Sequence, residues 1–461
     1  MELAVSFRRW PTGNPRRSDT FHGSPPKGEF CKGEKEMRSR NPTIDSITSS
    51  AIVAIANEPS SPGLAGVPGS RGFETRQVPR SLQFAIVVLL AVSWAAAYPA
   101  AAQNLNVLHS FDGNDGSYPF SRLTIDSQGN LYGTTGGTVP PTYGTIFAQT
   151  PTNPIGNVRV LLRRTPTGIC DFCVDNLLRD ASGNLYVSDA IGGNFGNGAV
   201  YKLTPAGLMP VVLYSFTGGA DGKYPNSGLI SDSAGNLYGT TGMGGAFGQG
   251  VIFEITPAGV ETVLYSFTGG SDGGEPWGRL LRDSHGNLFG TTYADGGLQL
   301  SFGIVFKLSP SGVLTVLYSF TGGSDGGHPN GDLIADAQGS LYGTTPGLSH
   351  GPHGTVFKLS QQGIFTLLHS FSGLDGFSPR SGVIMDAGGN LYGTTFSGGS
   401  SNDGVVYKLS ADGAQTVLHN FSGNDGSFPV GGLARDSVGN LYGTTAYGGT
   451  SNNGVVFRLT P

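Results

Sequence analysis

From residue 105 to the C-terminus the chain alternates short apolar runs, rich in Leu, Val, Ile, Phe and Tyr, with clusters of Gly, Asn, Asp and Pro. No apolar set at i, i+3, i+4, i+7 is sustained there, so the pattern predicts strands and not helices. The stretch GNLYGTT marks the period of the pattern. Its asparagine, or the residue in its place, falls at Asn130, Asn184, Asn236, Asn287, Ser340, Asn390 and Asn440, spacings of 50 to 54 residues. A period of that length belongs to propellers, solenoids or arrays. In the fourth copy the runs are Arg279–Arg282, Leu288–Thr292, Ile304–Leu308 and Leu314–Phe320, joined by turn sequences such as DSHGN and SPSG.

Four antiparallel strands per copy make a propeller blade. The repeat region opens on a lone run of the fourth type, Leu105–Phe111, and stops after a run of the third type, VVFRLT. If residues 105–111 pair with Val455–Leu459, the ring closes through both termini and no strand edge is left open. The expected fold is therefore all-β: a seven-bladed β-propeller over residues 103–461, with four-stranded antiparallel blades. Each copy also carries D-x-x-G-N, or a close variant, between its first two strands, at Asp126, Asp180, Asp232, Asp283, Asp336, Asp386 and Asp436. Turn chemistry accounts for these aspartates, since Asp bonds its own backbone and Gly takes positive φ.

Composition agrees with a glycine-rich β-protein: 76 of 461 residues are Gly and only 13% are charged. Residues 103–461 hold 15 Lys/Arg against 24 Asp/Glu, a balance that repels phosphate backbones and argues against nucleic-acid binding. Residues 1–80 hold twelve Lys/Arg and eight Asp/Glu without periodicity, and read as a disordered extension or as sequence upstream of the true start, with Val78 as a GTG initiator. Residues 81–102 contain FAIVVLLAVSWAAAYPAAA after Arg76 and Arg80, and read as a cleavable signal peptide; a membrane anchor is the rival reading. A secreted, periplasmic or cell-surface protein is expected, with no span left after cleavage.

Function is expected on the long loops of one face, those entering each first strand and those joining second to third strands. Six of the entering loops carry Asp-Gly, at Asp115, Asp221, Asp272, Asp325, Asp375 and Asp425. A ring of carboxylates would suit calcium or a cationic ligand, and a tight turn in each loop is the plainer reading. The second copy replaces Asp-Gly with RTPTGICDFC, so Cys170 and Cys173 are expected to form a disulfide clip in an oxidising compartment, with a redox C-x-x-C as the alternative. His328, His350 and His353 gather in the fifth copy and would suit zinc or copper, although free surface histidines are commoner. His109, His369 and His419 occupy a fourth-strand position that is Tyr in other copies. Glu275 and Trp277, in GGEPWG, form the aromatic candidate for stacking on a sugar. No cofactor is implied.

Read as one consensus, TVLYSFTGGSDGGxPxxGxLIxDxxGxLYGTTxxGGxxxxGVVFKLSP resembles the GloVer (Gloeo_Verruco) tandem repeat of secreted bacterial proteins, many with C-terminal sorting anchors. The resemblance covers residues 105–461 and implies an exported β-propeller-like protein of unassigned activity. No sorting helix follows the last copy, which favours a soluble or externally associated monomer. A weaker similarity, to streptogramin-lyase-like propellers, concerns turns only. Two functions are expected to compete. One is a non-catalytic scaffold binding a glycan, a cell-envelope polymer or a protein on its loop face. The other is a lyase or hydrolase of a polysaccharide or small molecule. Near-identical loops favour the scaffold, because catalysis needs different groups converging on one point.

Overall fold

The computed structural model describes residues 104–136, 144–150, 158–163, 177–205, 207–294, 302–347 and 353–461. The chain divides into Met1–Pro99 and Ala100–Pro461, and only the second unit holds described residues. The extension, the signal segment, Cys170, Cys173 and His350 lie outside them. No described helix is long and apolar enough to cross a membrane.

The described strands form seven four-stranded antiparallel sheets, a seven-bladed β-propeller. First-strand segments of blades one, four and seven line a common cavity of about 260 Å³, so these strands face the central axis. They are shorter than the sequence suggests. In the fourth blade only Leu281–Arg282 pairs, while Arg279 and Leu280 lie outside the ladder; every other first strand is also two residues long. Leu280 is buried, with a methyl 3.0 Å from the place a Cβ on Gly290 would take. It is therefore used for packing rather than pairing.

The chain ends close the ring as expected. β1 (Leu105–Ser110) pairs with β28 (Val455–Leu459), from Leu105 opposite Leu459 to Ser110 opposite Val455. The seam is sealed again by the Thr444 hydroxyl donating to the Ser121 carbonyl at 3.2 Å and by Phe111 packing edge-on against Phe147. The same edge-to-face contact, with centroids 5.0 to 5.4 Å apart, joins Phe216 to Phe253, Phe267 to Phe306, Phe320 to Phe357, Phe371 to Tyr407 and Phe421 to Phe457. Each pair takes the end of one blade's fourth strand onto the third strand of the next blade, the offset geometry aromatic rings prefer.

GNLYGTT owes each letter to a contact. Asp126 accepts from the backbone N–H of Asn130 at 2.8 Å, from its amide at 3.0 Å and from the Tyr132 hydroxyl at 3.0 Å. The backbone bond recurs in all seven blades. Burial pushes these carboxyls up, but the donors together outweigh it and hold each of the seven below the usual aspartate range. The glycine makes room for the ring of the third strand: a Cβ on Gly443 would lie 2.5 Å from Phe457 Cζ. The first threonine reaches the next blade, as Thr344 donates to the Ser381 carbonyl at 2.8 Å. The second caps its own hairpin, Thr445 Oγ1 accepting from the Val455 N–H at 3.3 Å. One feature is invisible in the alternation: third and fourth strands slip register in every blade, once in six of them, for example where Leu264 is skipped between Val263 and Tyr265, and twice in blade two.

Candidate functional site

The loops entering six of the seven described first strands, those that are themselves described, are held by an unusual backbone. Tyr118, Tyr224, Glu275, His328, Ser378 and Phe428 have φ between 53° and 59°, and each directly precedes a proline. A residue before proline avoids the α region, and a non-glycine residue in the left-handed region costs of order 1–3 kcal/mol. Hydrogen bonds on both sides enforce it. The Glu275 N–H donates to the Gln249 carbonyl of the preceding blade at 2.9 Å, and its own carbonyl accepts from Tyr293 N–H at 3.0 Å. The N–H bond recurs in all six loops, at 2.6 to 3.0 Å.

This clamp fixes three side chains per blade while leaving their identity free: the residues before and after the proline, and the residue after GTT. In blades four to six they include Glu275, Trp277 and Tyr293, then His328, then Arg380 and Phe396. These side chains form two contact groups, and the Tyr293 phenol of the first senses Arg380 of the second. Trp277 and Tyr293 have centroids 5.8 Å apart, and Tyr293 stacks on His328 at 4.7 Å and 26°. The Tyr293 carbonyl and His328 Nδ1 lie 2.8 Å apart, which holds the imidazole in that plane. The Arg380 guanidinium lies 3.7 Å over the Phe396 ring, and Phe396 leans on Phe428 at 5.0 Å.

The charges within this group are poised. Burial pushes the Glu275 carboxyl up, with His328 pulling the other way. Burial also raises the Tyr293 phenol, reinforced by Glu275 and opposed by Arg380, so the phenol lies within electrostatic reach of both. Burial lowers Arg380, with Tyr293 opposing. Among the described residues no hydrogen bond or ion pair engages the side chain of Glu275 or of Arg380. Half-buried charges of opposite sign, set beside an aromatic shelf and not joined to each other, can receive a polar ligand.

The other candidates have local explanations. Asp221 accepts from the Tyr214 hydroxyl at 3.0 Å, the Thr217 N–H at 2.7 Å and the Thr217 hydroxyl at 2.6 Å. Asp272 and Asp325 repeat this with Tyr265, Thr268, Tyr318 and Thr321. Asp115, Asp375 and Asp425 take His109, His369 and His419 instead, at 2.6, 2.9 and 2.8 Å. These six carboxylates thus close their own loops, and the fourth-strand His or Tyr is the donor that closes them. His353 packs against Phe377 at 5.0 Å, away from the partners of His328. Among the described residues no group of three or more His, Cys, Asp or Glu is placed to hold a metal.

A second divergent column lies at the axis: Arg122, Gly228, Arg279, Asp332, Gly382 and Gly432. Asp332 lies 3.4 Å from Arg279 Nε and 4.0 Å from Arg122 Nη1, and it accepts from the Arg279 N–H at 3.2 Å. Burial, then repulsion from Arg279, pushes the Arg122 guanidinium down to about 10, against the pull of Asp332. This cluster ties blades one, four and five across the channel.

Among solved structures the chain is similar to the extracellular domain of a putative one-component system from B. thetaiotaomicron, at 15% identity and TM-score 0.49, covering 78% of this chain and 41% of that one. It is similar to a gluconolactonase from Xanthomonas campestris, at 19% identity and TM-score 0.38, covering 60% of this chain and 82% of that one. It is similar also to a puromycin-hydrolyzing peptidase from Mycobacterium tuberculosis, at 12% identity and TM-score 0.48, covering 72% of this chain and 50% of that one. No curated protein matches the sequence. The model of the Gloeobacter/Verrucomicrobia repeat matches residues 173–348 and 301–461, and the chain belongs to that family.

Proposed function

We propose that the protein is an exported binding scaffold that holds a glycan on the loop face of blades four to six. One observation carries this reading: on a frame whose turns and hairpins repeat, Glu275, Trp277, Tyr293, His328, Arg380 and Phe396 differ from their counterparts and gather together. Sugars are bound by stacking an apolar ring face on an aromatic side chain while polar groups at the edge take the hydroxyls. Trp277 and Tyr293 supply the face, Glu275 an acceptor, and Arg380 a set of donors. Export rests on the apolar segment Phe84–Ala102. Glycan-array binding by the purified protein tests the reading; binding should fall at least tenfold on Trp277→Ala. An array with no bound glycan would refute it.

The catalytic alternative has one supporting observation, a half-buried Glu275 carboxyl pushed up by burial beside His328. Polysaccharide turnover abolished by Glu275→Gln, with binding retained, would favour it over the scaffold.

A further inference from the structure

We infer that the ligand of this face carries a carboxylate, an acidic sugar gripped by Arg380. The inference rests on the glycan-binding reading above and names the class of glycan.

Arg380 is held over an aromatic ring. Its guanidinium carbon lies 3.7 Å from the centre of the Phe396 ring, close enough to stack. A guanidinium held over a ring face keeps its N–H groups at its edge, available to a ligand. That is the fork geometry that matches a carboxylate with two parallel hydrogen bonds, which a lysine ammonium does not offer. Phe396 is itself braced by Phe428 at 5.0 Å, and its N–H donates to the Ser378 carbonyl at 2.9 Å, so the support under the guanidinium is rigid.

Arg380 is half-buried, yet no described residue offers it an anion. A cation taken partly out of water needs a counter-charge, and none is paired with it here. Glu275, the nearest charge of opposite sign in the group, is not within ion-pair distance; both are sensed by the Tyr293 phenol. A sugar ring beside Tyr293, whose phenol senses both charges, would turn its carboxylate toward Arg380 and its hydroxyls toward Glu275. The reverse orientation would set two carboxylates against each other.

Overall charge sharpens the point. Residues 103–461 carry 15 basic and 24 acidic residues, so the domain offers no general attraction for polyanions. Recognition of an acidic glycan is left to a local contact of fixed geometry.

The test is an array of uronic- and sialic-acid glycans printed beside the same glycans with their carboxyl groups reduced to alcohols. It is probed with the full-length secreted protein, Arg380→Gln, Arg380→Lys and, as a control on another blade, Lys223→Gln. Carboxyl reduction and Arg380→Gln should each lower binding about tenfold or more, the loss expected for one charge-assisted bidentate contact. Arg380→Lys should restore little, because it keeps the charge and loses the fork, and Lys223→Gln should bind as the parent does. Equal binding to native and reduced glycans, or unchanged binding by a folded Arg380→Gln, overturns the carboxylate and leaves the glycan reading standing. Binding to no glycan in either form overturns both.

Discussion

Replacing Glu261 by glutamine should stabilise the propeller at neutral pH and do nothing at pH 4.5. Glu261 opens the fourth strand of blade three, Glu261–Ser266. Burial, with repulsion from Asp221, pushes its carboxyl up from 4.5 to about 7. One of its oxygens is buried with no hydrogen-bond partner among the described residues. The matching residue of blade six is Gln415, whose amide donates to the Asp375 carbonyl at 3.3 Å. The free chain titrates near 4.5 and the fold near 7, so the folded state holds the proton more tightly. The stability from Glu261 is full below about pH 4.5 and is lost as pH rises through 7. At full weight that displacement is roughly 3.4 kcal/mol, and partial exposure cuts it to about 1.5 kcal/mol. Calorimetric melting of parent and Glu261→Gln across pH 4.5 to 8 should show curves that coincide at the acid end. They should separate by about 2–4 °C at the basic end, the variant melting higher. A difference independent of pH, or a variant less stable at pH 8, would refute the assignment.

Three further substitutions test the frame. Asp332→Asn leaves Arg122 and Arg279 facing each other across the axis and should cost about 2–3 kcal/mol, less than a fully buried pair because all three side chains are partly exposed; chemical denaturation at low salt is the check. Tyr407→Phe should raise stability by about 1 kcal/mol by the same measurement, since its hydroxyl is buried with no partner among the described residues and five other blades have Phe at this position. Gly443→Ala should lower it by about 1–3 kcal/mol, because the new methyl meets Phe457 at 2.5 Å in a fully buried layer, and a neutral result would show that the ring can move aside.

Much of the fold is legible because each blade states it again. The period, the complementary ends and the turn aspartates lead directly to the closed ring, and Leu105 opposite Leu459 is the register they imply. The register slip at Leu264 and its counterparts escapes such reading, since a bulge changes the pairing without changing the apolar pattern. So does the glycine of GNLYGTT, whose reason is an aromatic ring 14 to 16 residues later, as with Gly133 and Phe147. The candidate site is half legible. Glu275, Trp277 and His328 stand out as departures in one loop type, but Arg380 looks like a surface cation and Tyr293 like a strand end. Their signal is positional: each sits in a column that varies between columns that do not, and only the clamp beside the proline shows that these columns converge. The axial column with Arg122, Arg279 and Asp332 carries the same signal. It is missed because opposite charges 53 to 210 residues apart in the chain give no local pattern.

On the proposed reading, a common frame carries a binding site where its copies diverge. Blade seven supplies the direct test, having Phe428, Val430 and Ala446 where blade four has Glu275, Trp277 and Tyr293. Glycan binding should be measured for the parent and for the triple substitution Glu275→Phe, Trp277→Val and Tyr293→Ala, which gives blade four the residues of blade seven. The variant should melt within a few degrees of the parent and no longer bind. A folded variant that binds as the parent does would contradict it.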